Sequence, residues 1–74
     1  MPMHTHLLEN IHALLDFNRA PKDKPERAKY FSSLFGLTVE ESESLLVGEQ
    51  VPNRKLLIEI ADKFEVDARW LLEN

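Results

Sequence analysis

Three histidines, His4, His6 and His12, are the side chains of this chain best suited to a transition metal, and Ser32, Ser33, Ser42 and Ser44 are its only serines. Neither set is spaced for chemistry. Zinc sites draw on cysteine thiolates or on histidines paired across a helical turn; the chain has no cysteine, and its histidines have no i, i+4 partner. His4 and His6 fall at the N-terminal end and His12 on the polar side of a first helix, so all three read as surface histidines. No serine sits near a His–Asp constellation, and with only two glycines there is no glycine-rich loop to cradle a phosphate. No catalytic residue, metal, cofactor or small-molecule substrate is therefore expected. The chemistry left to the chain is binding.

Charge is the first guide to what is bound. The 74 residues carry a formal net charge of −4, with 30% charged and 43% hydrophobic residues, the balance of a soluble globular domain. Residues 19–29 hold five of the nine basic side chains (Arg19, Lys22, Lys24, Arg27, Lys29) against two acids, so this segment is +3 and the remainder is −7. Arg54 and Lys55 form a second basic pair. Clustered cations suit phosphates, whereas an acidic total argues against a free-standing nucleic-acid binder. A chain this short buries only ~60% of its unfolded surface, so its core is modest and self-association would help it. The absence of cysteine permits the cytoplasm, no apolar run is long enough for a bilayer, and the first residues lack the pattern of a signal peptide. A cytoplasmic protein is expected, with residues 1–4 as a flexible tail and 5–74 as a single domain.

The elements that must position these charges are all helical. Leu7, Leu8, Ile11, Leu14 and Leu15 form one stripe at helical spacing, predicting a helix from Thr5 to about Asn18 that Ala20-Pro21 ends. Asp23, with Pro25 in the first turn, starts a second helix that runs to Phe35 and stops at Gly36. Thr38 and Glu41 form a capping box for a short third helix ending at Gly48. Asn53 caps a fourth with Leu56, Leu57, Ile60, Ala61 and Phe64 on its buried side, and Asp67 caps a last short one carrying Trp70, Leu71 and Leu72. Phe31, Leu34 and Phe35 face inward from the second helix.

This order resembles the lambda-repressor-like (Cro/CI, XRE-type) helix-turn-helix family over about residues 25–73. The matching residues are Phe31, Phe35-Gly36-Leu37-Thr38, Leu45, Gly48, Pro52-Asn53, Leu57, Ile60-Ala61, Phe64, Val66-Asp67 and Trp70-Leu71-Leu72. The first helix fits by position and pattern only. The resemblance implies an all-α, compact five-helix bundle containing a helix-turn-helix. Gly36-Leu37 would be its turn, and the third helix, about residues 38–47, would read double-stranded DNA in the major groove. It further implies that Lys24, Arg27, Lys29, Arg54 and Lys55 contact phosphates and that Trp70, Leu71 and Leu72 contribute to a homodimer. Three positions depart from the family: Ser32 replaces a small alanine, Ser42 a buried valine or isoleucine, and Ala28 a glutamine that commonly contacts phosphate or base.

With Ser42 and Leu45 inward, helical geometry turns Val39, Glu40, Glu43, Ser44 and Val47 outward, with Thr38 at the helix start. Residues 39–47 contain no lysine, arginine, asparagine or glutamine, the side chains best suited to bidentate base contacts. Glu40 and Glu43 are repelled by phosphates, yet a glutamate can accept from cytosine N4 and Val39 can touch a thymine methyl. Two functions stand side by side: a sequence-specific DNA-binding transcriptional regulator, and a protein-interaction or antagonist module whose acidic, apolar face takes a basic protein surface. Both require the turn at Gly36. Gly36→Val is expected to cost about 1–2 kcal/mol, because a β-branched residue resists the left-handed conformation. Urea melts that leave stability unchanged would misplace the turn.

Overall fold

The computed structural model describes residues 5–72, so the expected tail at residues 1–4 lies outside them. Among the described residues five helices follow one another: α1 Thr5–Phe17, α2 Lys24–Phe35, α3 Val39–Leu46, α4 Arg54–Phe64 and α5 Ala68–Leu71. No strand occurs among the described residues. None of these helices is long and apolar enough to cross a membrane.

Each of the last four helices begins where a side-chain oxygen meets a free backbone N–H. Asp23 accepts from the Glu26 N–H at 3.4 Å, Asn53 from Leu56 at 2.8 Å and Asp67 from Arg69 at 2.8 Å. At α3 the capping box closes in both directions, with the Glu41 N–H donating to Thr38 Oγ1 and the Thr38 N–H to Glu41 Oε1, each at 3.0 Å.

The first four helices end alike. Arg19, Gly36, Gly48 and Glu65 all adopt positive φ, between 58° and 85°. After each, an N–H reaches back five residues: Ala20 to Leu15, Leu37 to Ser32, Glu49 to Ser44 and Val66 to Ala61. This left-handed closure satisfies carbonyls that the helix itself leaves open. Two of the four closures use non-glycine residues, Arg19 and Glu65. The first sets the boundary of α1, which ends at Phe17, close to the expected Asn18: the chain turns at Arg19, ahead of Pro21.

The core draws on all five helices: Leu7, Ile11, Leu14 and Leu15 of α1, Ala28 and Phe31 of α2, Leu45 and Leu46 of α3, Leu56, Ile60 and Ala61 of α4, and Leu71 of α5. Leu15, Phe31, Ile60 and Leu71 are almost completely enclosed, each contributing ~1.5–3 kcal/mol. Phe35 joins α2 to α4, its ring 4.8 Å from Phe31 and 6.3 Å from Phe64. Leu8, Leu34, Leu57 and Phe64 form a half-buried rim. Of the C-terminal trio only Leu71 is core; Trp70 and Leu72 are exposed. Asn10 Nδ2 donates to the carbonyls of Trp70 (3.2 Å) and Leu71 (3.0 Å), tying α1 to the end of the chain.

One core position is chemically mismatched. Ser42 is 0% exposed, and its Oγ has no hydrogen-bond partner among the described residues. An unsatisfied buried hydroxyl costs about 1–3 kcal/mol. Ser42→Ala is expected to stabilise the domain by about 1 kcal/mol, raising Tm by ~4–8 °C for a chain of this size. A lower Tm on calorimetry would mean that the hydroxyl has found a partner.

Candidate functional site

The α3 surface divides cleanly. Ser42, Leu45 and Leu46 are buried, while Val39, Glu40, Glu43 and Val47 are exposed and Ser44 is half-buried. Thr38 Oγ1 and the Glu41 carboxylate are both committed to the capping box. Glu40 and Glu43 have no hydrogen bond or ion pair among the described residues. Val39 is 38% exposed and Val47 54%, so the fold leaves an acidic strip edged by two valines without an internal partner.

Four of the five expected phosphate contacts stand at the surface. Lys24, Lys29, Arg54 and Lys55 are all exposed, with Lys29 held 3.3 Å from Glu26. Glu26 thus pairs forward along α2. Lys24 and Arg54 are the first residues of α2 and α4, and Lys55 follows directly. A cation there faces the positive end of the helix dipole, which opposes stability by ~0.3–1 kcal/mol. Folding supplies no reason for cations at these points; an external anion would.

Arg27 corrects the expectation. Its side chain is only 8% exposed, and it is engaged internally. Nε donates to the Pro21 carbonyl at 2.7 Å, Nη1 to His12 Nδ1 at 2.9 Å and Nη2 to Asp16 Oδ1. It is withdrawn from the phosphate set. His12 is likewise half-buried rather than a surface residue. The Leu46 carbonyl can only accept and the Arg27 guanidinium can only donate. The ring is therefore in its Nε2–H form, with Nε2 donating to Leu46 O at 2.8 Å. That bond satisfies a carbonyl at the C-terminus of α3, where the helix provides no donor. His6, in the first turn of α1, is exposed and lies 3.6 Å from Glu9. His4 lies outside the described residues.

The Arg27 hydrogen bond holds the Asp16 carboxyl below its usual range; partial desolvation opposes this, and the charges of Arg27 and Lys22 add to it. Nothing in the spacing of His12, Asp16 and Arg27 announces the triad. His12 and Asp16 share one face of α1 at i, i+4, the one local signal available to sequence reasoning. Beside the triad, the first turn of α2 and the last turn of α3 enclose a cleft that reaches Pro25, Ala28, Leu46 and Val47. Sequence reasoning placed none of these four except Val47 in a site. Among the described residues, no group of three or more His, Asp or Glu side chains gathers to hold a metal.

Comparison with protein-family models, with curated proteins and with solved structures finds no match. The functional reading therefore stands on the residues and their geometry.

Arg27→Met is expected to cost about 2–3 kcal/mol at neutral pH, since it leaves the Pro21 carbonyl and His12 Nδ1 unpaired. The Asp16 part of the effect has a definite sign. A lowered folded pKa adds stability above the ordinary value of 3.8 and loses it as pH falls through the folded value. Urea melts from pH 7 downward should show the gap between wild type and variant narrowing in acid. A gap that widened would exclude the pairing.

Proposed function

We propose that this chain is a small sequence-specific DNA-binding transcriptional regulator of the cytoplasm with a lambda-repressor-like fold. In this reading α2, the turn at Gly36-Leu37 and α3 form the helix-turn-helix, and α3 is the reader. The observation that carries it is the pairing of two features: an α3 face unused by the fold, and exposed cations at the starts of α2 and α4 that act against their own helix dipoles. Lys24 and Lys29 on one element and Arg54 and Lys55 on another then hold the backbone. Arg27, spent inside the fold, does not.

Such a protein separates the two tasks of recognition: the cations position it, and α3 supplies discrimination. Glu40 and Glu43 disfavour phosphates and favour cytosine N4 donors, and Val39 and Val47 favour thymine methyls. The acidic strip thus lowers non-specific affinity and leaves binding dependent on the correct bases. Exposed Trp70 and Leu72 are the apolar surface on which a homodimer would form.

A second reading is favoured by a specific observation. Val39 and Val47 are 38% and 54% exposed beside Glu40 and Glu43 on the outward side of α3. An apolar strip rimmed by carboxylates complements a basic protein surface, and on this reading the chain is an interaction or antagonist module.

Salt dependence of duplex binding separates the two. Four phosphate contacts predict a slope of log K on log salt of about −3 to −4. Lys24→Gln or Arg54→Gln should each reduce its magnitude by about 1, while Glu43→Lys should strengthen non-specific binding. Absence of salt-sensitive binding at low ionic strength would sink the regulator reading and leave the interaction module.

A further inference from the structure

The cleft between the first turn of α2 and the last turn of α3 has a volume of about 440 Å³, within the ~300–1,000 Å³ range of small-ligand sites. Pro25, Ala28, Leu46 and Val47 give it an apolar lining, and Lys24 and Glu43 bring opposite charges to it. Those two charges pair neither with each other nor with any other described residue. Two opposite charges on one small cleft, left apart, fit a ligand that carries both.

The lining also includes a third charged group. Arg27 lines the cleft with a side chain only 8% exposed. A guanidinium has five N–H groups. Pro21, His12 and Asp16 take three, so each Nη keeps one N–H with no acceptor among the described residues. A buried charged donor without an acceptor favours an incoming oxyanion, and planar carboxylates suit a guanidinium best. His12 contributes shape alone, because both its ring nitrogens are engaged.

We infer that this cleft binds a small aliphatic zwitterion, an amino acid or short peptide whose carboxylate meets Arg27 and Lys24, whose ammonium meets Glu43, and whose branched side chain lies against Pro25, Ala28, Leu46 and Val47. The charges exclude simpler ligands. A plain carboxylate meets Glu43 with like charge, and a plain amine meets Lys24 and Arg27. The inference goes beyond the DNA reading and does not need it, although an occupant would touch Glu43 and Val47 on the face assigned to the reader.

The test is a titration of the full chain followed by amide proton–nitrogen correlation spectra. L-leucine and L-leucyl-L-leucine are the probes, and leucinamide (no carboxylate) and N-acetyl-leucine (no ammonium) are the controls. Saturable shifts centred on Ala28, Leu46 and Val47 are expected with at least one probe. If only the dipeptide gives them, the ligand is a peptide; if leucine suffices, it is a free amino acid. Loss of either ligand charge should weaken binding by about fivefold, the upper range of an exposed ion pair. Lys24→Gln and Glu43→Gln alter exposed side chains, so the fold is retained. The first should weaken the zwitterion, and the second should abolish its advantage over N-acetyl-leucine. No saturable shift with either probe, or equal binding of probes and controls, would overturn the inference. Because the readout is ligand binding itself, its outcome is independent of whether duplex DNA binds.

Discussion

Arg27 is the side chain on which the placement of α1, α2 and α3 depends. One guanidinium holds the Pro21 carbonyl in the loop before α2 and the His12 and Asp16 side chains on α1. Through His12 it also fixes the donor that closes the end of α3. Apolar packing brings these helices together but is indifferent to small sliding. Directional hydrogen bonds to a buried, charged, planar group are not, because leaving any of them unmade costs desolvation. The cleft between α2 and α3, which both Arg27 and His12 line, is built on this anchor.

The same economy appears at the surface. The fold consumes the groups it needs: Thr38 and Glu41 in a cap, Arg27 and Asp16 in an ion pair, Asn10 at the last helix. What it leaves unused is coherent in place and sign. Glu40, Glu43, Val39 and Val47 lie on one side of α3, and Lys24, Arg54 and Lys55 lie at helix starts. Charges set against their own helix dipoles, and valines left in water, are more informative than conforming residues, because stability alone gives no account of them. Ser42 is a different kind of exception: a buried hydroxyl without a partner among the described residues, for which neither the proposed DNA contact nor the cleft supplies a use.

Local signals gave the helix starts in full. Asp23, Thr38, Asn53 and Asp67 act as caps where the sequence places them, since a capping oxygen satisfies an N–H only two or three residues away. The ends were half legible. Gly36 and Gly48 advertise a left-handed turn; Arg19 and Glu65 adopt one without the residue type that announces it, because Ala20 is buried and Val66 is packed against the core, and packing the residue after the turn offsets the strain. The outward face of α3 was read correctly from its period. Of the five residues expected to contact phosphate, Lys24, Lys29, Arg54 and Lys55 are exposed and Arg27 is buried.

The sequence by itself determined the elements: five helices, their caps, the apolar stripes and the acidic face of the third, all governed by contacts within a few residues. Only the tertiary structure decided which charges are free. Arg27 and Lys24 lie three residues apart on one helix and look alike in sequence. One meets Asp16, His12 and the Pro21 carbonyl across the fold and becomes part of its frame, while the other meets water. Partners 6, 11 and 15 residues distant in the chain are brought within reach by packing, and packing is a property of the assembled core rather than of any segment.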